Sequence, residues 1–188
     1  MYLTSATTLE QLPPDFGREV AFIGRSNAGK SSAINVITGI NGLARTSSTP
    51  GRTQMVNFFE IDSTHRLVDL PGYGFAKTTL ANKARWDQMT HDYFEKRESL
   101  VGLILLMDAR HPLKDMDQQM IEWCVDCNIP LHILLTKADK LTPNAQKKAL
   151  LTVQSAIAHV ESVSVQLFSS LKKTGVDAAR SVLNALFQ

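Results

Sequence analysis

Apolar and polar positions alternate along this chain with two different periods, and the switches between them mark out its elements. Short, nearly continuous apolar runs stand at about 19–23, 54–62, 65–70, 101–107, 131–136 and 164–168. Runs of this length, rich in Val, Ile, Leu and Phe and bounded by turn residues, predict six strands, most of them buried on both faces. Between them apolar residues recur three and four apart, which predicts helices over about 30–38, 79–96, 115–126, 144–159 and 175–186. Strands that alternate with helices give an α/β fold with a mostly parallel sheet and helices on both faces. The second and third runs are separated only by a short turn around "DSTH", so these two strands are expected as the one antiparallel hairpin.

Residues 1–18 are expected as an N-terminal extension and 19–188 as a single domain, a size that buries a full core without disulfides. Two stretches fit no element: "GLARTSSTPGRT", and "GYGFAKTT" after the third strand. Both lie beside strand ends where open α/β sheets bind ligands, so they are expected as functional loops.

The first polar loop after a strand carries the sharpest chemistry. "GRSNAGKS" places Gly24, Gly29, Lys30 and Ser31 at the spacing of a phosphate-binding loop, between a strand and a helix. Glycines let successive backbone N–H groups turn inward around an anion, and the helix N-terminus adds its positive end. Arg25, Ser26, Asn27, Ala28 and Ser32 complete this expected nucleotide-binding stretch. Lys30 is placed to reach β- and γ-phosphates, and the Ser31 hydroxyl to ligate Mg²⁺. The ligand class is a nucleoside triphosphate with Mg²⁺.

Two further loops refine that ligand. Asp69, in "RLVDLPG", stands at the end of the third strand, where a carboxylate holds Mg²⁺ through water, and the Gly72 N–H is placed to sense a γ-phosphate. "LLTKAD" follows the fifth strand. The Asp139 carboxylate can accept from both N1–H and the exocyclic amine of guanine, a donor edge that adenine lacks, while the stem of Lys137 lies across the ring. Leaving a buried carboxylate unpaired is costly, so the choice of guanine over adenine is strong.

Taken in this order, the three loops resemble those of the small regulatory GTPases, the Ras-like P-loop GTPase or G-domain fold. "GRSNAGKSS", "TPGRTQMVNFF", "DLPGYGFA" and "LLTKADKL" are similar to the bacterial EngB family, also called YihA or YsxC, of the Era, EngA and septin-related branch. The resemblance covers the chain from about residue 19 onward. It implies slow, Mg²⁺-dependent hydrolysis of GTP to GDP, with Lys30, Thr53 and Gly72 catalytic and with Ser31, Thr53 and Asp69 around the metal. Thr49 is the alternative to Thr53, and Gly51 joins the nucleotide site. Ser169, Ser170 and Leu171 look like the last guanine-contacting loop, where a backbone N–H meets the base's O6. Thr136 stands where most GTPases carry Asn, which implies some loss of bonding between the base loop and the phosphate loop.

Ras-like enzymes orient the attacking water with a Gln two residues past the Asp-x-x-Gly motif. Here Tyr73 follows Gly72 and no Gln is nearby, so intrinsic hydrolysis is expected to be slow. In related GTPases of the Era and MnmE type, an Asn at the position of Asn27 resembles a K⁺ ligand, which implies a possible K⁺ site here. Arg25, Arg45, Arg52, Lys77, Lys83 and Arg85 sit in or beside the loops, either solvated or placed to touch RNA phosphates.

The family resemblance implies a switch in assembly of the large ribosomal subunit or its precursor, with rRNA and ribosomal proteins as partners, and a link to cell division and septation. Competing readings are a septin-like or division-site GTPase acting without the ribosome and a P-loop phosphotransferase, against which Asp139 stands. A net charge of +2 permits nucleic acid without demanding it. The first residues lack the features of a signal peptide and no apolar run is long enough to span a bilayer, so a cytoplasmic monomer without stable membrane association is expected. "CVDC", Cys124 and Cys127, has no second Cys pair for a metal and reads as two half-buried thiols on a helix face.

Overall fold

The computed structural model describes residues 1–45, 55–74 and 80–188, with the backbone alone over 80–87. Among the described residues seven strands form one sheet: β1 (Tyr2–Ala6), β2 (Arg18–Gly24), β3 (Val56–Glu60), β4 (His65–Asp69), β5 (Leu100–Asp108), β6 (Leu131–Thr136) and β7 (Val163–Leu167). Their order across the sheet is β1-β3-β4-β2-β5-β6-β7. β2 lies parallel to β4 and β5, and β6 lies parallel to β5 and β7. The expected hairpin is β3 with β4. Among the described residues are five α-helices, α1 (Lys30–Thr38), α2 (Leu80–Lys96), α3 (Asp115–Asp126), α4 (Pro143–Ile157) and α5 (Val176–Leu186), of which the first four link strands and α5 follows β7.

The six strands expected from sequence become seven. Residues 2–6, read as part of an extension, pair antiparallel with β3 and form an edge of the sheet. "YLTSA" carries one weak alternation and little apolar surface, so its strand form comes from the open edge of β3, a tertiary partner that local pattern does not announce.

Period-2 alternation sends successive side chains of each central strand to opposite faces. Ala21 and Ile23 of β2, and Leu103, Leu105 and Met107 of β5, join a core with Tyr93 and Phe94 of α2, Cys124 of α3 and Val153 of α4. Val20, Phe22, Ile104 and Leu106 face the other way, onto Ala33, Ile34 and Ile37 of α1 and Ala179 and Leu183 of α5. Both faces are therefore covered, as a mostly parallel sheet requires.

A charged cluster closes one end of this frame. Glu19 at the start of β2 is fully buried. Arg97 holds it with two bonds, Nη2 to Oε1 at 2.7 Å and Nε to Oε2 at 2.9 Å, and Tyr93 donates its hydroxyl to Oε2 at 2.9 Å. Arg66 adds a contact at 3.2 Å. Arg97 also donates to the Pro13 carbonyl at 2.8 Å, so residues 13–19 are fastened to the end of α2. This cluster sits at the N-terminal ends of the strands, the end away from the phosphate loop.

Candidate functional site: a nucleotide pocket at the C-terminal ends of the strands

The phosphate loop leaves β2 at Gly24, where no side chain fits: a Cβ there would stand 2.6 Å from the Leu106 carbonyl oxygen. The loop then turns through two left-handed residues, Asn27 (φ 64°) and Gly29 (φ 92°), before α1 begins. The first backbone bond into the helix runs from the Ala33 N–H to the Gly29 carbonyl at 2.9 Å. The N–H groups of the opening turn are thus left for a ligand. Nothing lies within 4 Å of a Cβ built on Gly29, so the loop opens onto free space in front of those donors. Backbone donors, a helix N-terminus and open room together fit a polyphosphate.

Lys30 and Asp69, predicted separately for phosphate and metal, are brought together as a largely buried ion pair between the head of α1 and the end of β4. Ser31 and Ser32 follow in the same first turn of α1. Gly72 packs so closely on the phosphate loop that its Cβ would stand 3.1 Å from the Gly24 oxygen and 3.2 Å from the Ser26 nitrogen. Two backbone bonds lock this approach, Ser26 N–H to the Tyr73 oxygen at 2.9 Å and Tyr73 N–H to the Gly24 oxygen at 3.1 Å. The donor set of Ser31 hydroxyl and Asp69 carboxylate, both hard oxygens, fits Mg²⁺.

Tyr73 points away from the phosphates. Its ring is buried, and its hydroxyl donates to Asp117 Oδ1 at 2.5 Å. Burial, reinforced by the Asp117 charge, holds the phenol well above its usual range. Asp117 is buried too, which pushes its carboxyl up, while its Oδ2 accepts the Lys114 N–H at 3.0 Å at the start of α3. Tyr73 is thus a packing anchor.

The base loop is bound to the phosphate loop, and Thr136 makes part of that tie. The Thr136 hydroxyl donates to the Ala28 carbonyl at 2.6 Å and lies 3.1 Å from the Met107 carbonyl. A β-branched residue at the end of a buried strand holds its hydroxyl in one direction, and here that direction is the phosphate loop. Lys137 adds a second tie, Nζ to the Asn27 carbonyl at 2.6 Å.

Asp139 sits in a single 3-10 turn (Ala138–Lys140), itself fastened to the end of β7 by Ala138 N–H to the Phe168 oxygen at 3.1 Å. Its Oδ1 accepts the Ser169 hydroxyl at 2.5 Å. Among the described residues its other oxygen takes no hydrogen bond, which leaves it for a donor edge. The Ser169 N–H is itself engaged, on the Thr174 oxygen at 3.0 Å. The backbone donors of this loop that remain for a base are those of Ser170 and Leu171, and Leu171 is strongly exposed.

Sequence reasoning passed over Asp108. It ends β5, accepts Arg110 N–H and Nε at 3.0 and 2.9 Å, and meets Lys137 Nζ at 3.1 Å. Burial alone would raise its carboxyl, but the Arg110 and Lys137 contacts outweigh this and hold it well below the usual range. An acidic residue closing an otherwise apolar strand was the available signal. Gly51 and Thr53, with Thr49, Arg52 and Lys77, lie outside the described residues, as do the side chains of Lys83 and Arg85. The cysteines are unlike rather than equally half-buried: Cys124 is buried, its thiol pushed up to about 12 by that burial, and Cys127 is exposed.

A Ras-like sheet order with the phosphate loop, Asp69 and the Asp139 turn converging at one end of it defines a P-loop GTPase domain. The family described as 50S ribosome-binding GTPase matches residues 19–137. Proteins called probable GTP-binding protein EngB are 59% identical over 188 residues in Coxiella burnetii strain CbuG_Q212, covering 100% of this chain and 92% of theirs. The namesake in Escherichia coli O139:H28 is 56% identical over 187 residues, covering 99% of this chain and 89% of its own. The protein belongs to the EngB family and is a GTPase. A crystal structure of a probable GTP-binding protein engB superposes with a TM-score of 0.72 at 18% identity, covering 90% of this chain and 98% of that one. Era in complex with MgGDPNP and a 16S ribosomal RNA segment superposes at 0.68 with 20% identity, over 91% of this chain and 56% of that one. At those identities the likeness is one of fold.

Proposed function

We propose that this GTPase is a slow, Mg²⁺-dependent switch that acts on the large ribosomal subunit or its precursor during assembly, and that normal septation depends on that role. The observation that carries the reading is the double tie of the base loop to the phosphate loop, Thr136 to Ala28 and Lys137 to Asn27, which makes base and phosphate recognition one rigid unit. Gly72 packed on that unit gives the nucleotide a lever on the chain that follows.

In this reading the backbone N–H groups of Asn27 and of residues 29–32 hold the phosphates and Lys30 stabilises the charge that develops on transfer. Ser31, Asp69 and Thr53 hold Mg²⁺, which when bound neutralises charge on the β- and γ-phosphate oxygens. Asp139 reads the guanine edge, Lys137 covers the ring, and the N–H groups of Ser170 and Leu171 face the base. Tyr73 is committed to Asp117 and cannot orient a water, which supports slow intrinsic turnover. Asn27, which is exposed, is the residue through which K⁺ would supply the positive charge that an arginine finger supplies elsewhere. Hydrolysis should then be faster in K⁺ than in Na⁺ at equal ionic strength, and equal rates would remove the ion from the mechanism.

The chain works as a cytoplasmic monomer, residues 19–188 forming the G domain and 1–18 an extension that completes the sheet edge. Among the described residues no helix is long and apolar enough to cross a membrane. Co-sedimentation with purified large subunits tests the target, comparing a non-hydrolysable GTP analogue, GDP and no nucleotide. Binding favoured by the analogue is expected. No binding in any state would overturn the ribosomal role and point to the division machinery.

A further inference from the structure

Lys137 stands in the base loop with an unfavourable backbone conformation and a long side chain. It follows β6 directly with φ 56°, the left-handed region that side chains adopt reluctantly, and its side chain is 33% exposed. An ammonium on four rotatable bonds has no single resting place of its own. Two acceptors fix it here: the Asn27 carbonyl at 2.6 Å and Asp108 Oδ2 at 3.1 Å. The first is neutral and belongs to the loop that holds the phosphates. The second is the only carboxylate within ion-pair reach of it among the described residues.

Asp108 is built to stay where it is. It is the last residue of β5 and lies opposite Thr136 in the ladder with β6, and Ala109 N–H closes on the Thr136 oxygen at 2.9 Å. Its carboxylate therefore leaves the sheet beside Lys137. Arg110 then grips both oxygens, through N and Nε on Oδ1 at 3.0 and 2.9 Å and Nη2 on Oδ2 at 2.7 Å. A bidentate guanidinium contact of this kind leaves the carboxylate little freedom to turn.

We propose that Asp108 is a positioning residue for guanine recognition: its carboxylate holds the Lys137 ammonium against the phosphate loop and so fixes the lysine stem beside the base. The proposal rests on the reading of Lys137 and Asp139 as the base site. It separates two jobs within that site. Asp139 reads the donor edge of guanine, whereas the Lys137 stem touches the ring face, which guanine and hypoxanthine share. Loss of Asp108 should therefore weaken both bases alike and leave the preference between them unchanged.

The test is equilibrium binding of GDP and of inosine diphosphate, which lacks the 2-amino group, to the full chain and to Asp108→Asn, each also in a Lys137→Met background. Lys137→Met keeps an apolar stem and removes the ammonium. Asp108→Asn alone should raise both dissociation constants on the order of tenfold, mostly through faster release, with the ratio between the two nucleotides unchanged. In the Lys137→Met background the same substitution should change either constant by less than about twofold, because the partner it acts through is gone. An equal loss in both backgrounds, an altered ratio, or no loss would overturn the proposal. Asp108→Ser carries the same expectations should Asp108→Asn fail to fold, as thermal unfolding without nucleotide will tell. Failure of the unaltered chain to bind GDP would bring down the base-site reading itself, and this proposal with it, so the two failures are distinguishable.

Discussion

The Thr136 hydroxyl donates to the Ala28 carbonyl at 2.6 Å, and through that bond the strand that presents Lys137 and Asp139 is joined to the loop that precedes Lys30. Both groups are buried, so the bond replaces water that neither can reach. A threonine at this position thus ties the base loop to the phosphate loop.

Thr136→Val keeps the shape and removes the donor. The Ala28 carbonyl then loses its hydroxyl partner, at a cost of about 1–2 kcal/mol. If the tie serves binding as well as folding, GDP affinity falls roughly five- to thirtyfold while the unfolding midpoint drops. Calorimetric titration beside a denaturant melt checks it, and an unchanged affinity would make the bond purely structural.

Gly72→Ala places a Cβ 3.1 Å from the Gly24 oxygen and 3.2 Å from the Ser26 nitrogen, tight enough that the segment must yield by a few tenths of an ångström. GDP binding, which rests on the loop and base contacts, should stay within about threefold, whereas GTP turnover falls on the order of tenfold because alignment at the γ-phosphate is lost. Single-turnover hydrolysis separates the two effects. A loss confined to GDP affinity would contradict this placement of Gly72.

Arg97→Ala strips the fully buried Glu19 of its two-bond partner and leaves the longer Arg66 contact at 3.2 Å as its balancing charge. The expected destabilisation is about 3–5 kcal/mol. Because the cluster lies at the opposite strand ends from the phosphate loop, the folded variant should bind GDP as the unaltered protein does. Urea unfolding and a binding isotherm on one preparation decide the point.

His132 gives the fold a pH dependence. It is buried in β6, its Nδ1 2.7 Å from Ser164 Oγ and its Nε2 3.0 Å from Gln166 Oε1. Burial lowers its folded pKa below the ordinary 6.5. The unfolded chain therefore binds the proton first, and stability falls as pH drops below about 6.5 towards the lower folded value. Above that range His132 is neutral in both states and contributes no slope. Unfolding free energies at pH 5 and pH 7 should differ less in His132→Gln than in the unaltered protein.

The interior of the fold was legible because its strands and helices carry strong periods. The bounds of α1, α3 and β6 fall where the pattern placed them, and the ends of the other expected elements differ by at most two residues. β1 was not legible, since "YLTSA" becomes a strand only against the free edge of β3. In the site, Gly24, Lys30, Asp69, Gly72 and Asp139 were readable as motif positions. Asp108 was not, because a carboxylate at a strand end has no meaning until β6 brings Lys137 alongside it.

By itself the sequence determined the order of the elements after residue 18, the phosphate-loop spacing and the acid that follows β6. Those are local facts: a helix period, a glycine spacing, an acid after an apolar strand. Only the tertiary structure decided how the loops act on one another. Thr136 meets Ala28 across 108 positions of chain, Lys137 meets Asn27 across 110, and Tyr73 turns inward to Asp117 instead of towards the phosphates. Such contacts depend on strand order and register, and these are set by burying both faces of one sheet, a condition on the whole chain at once.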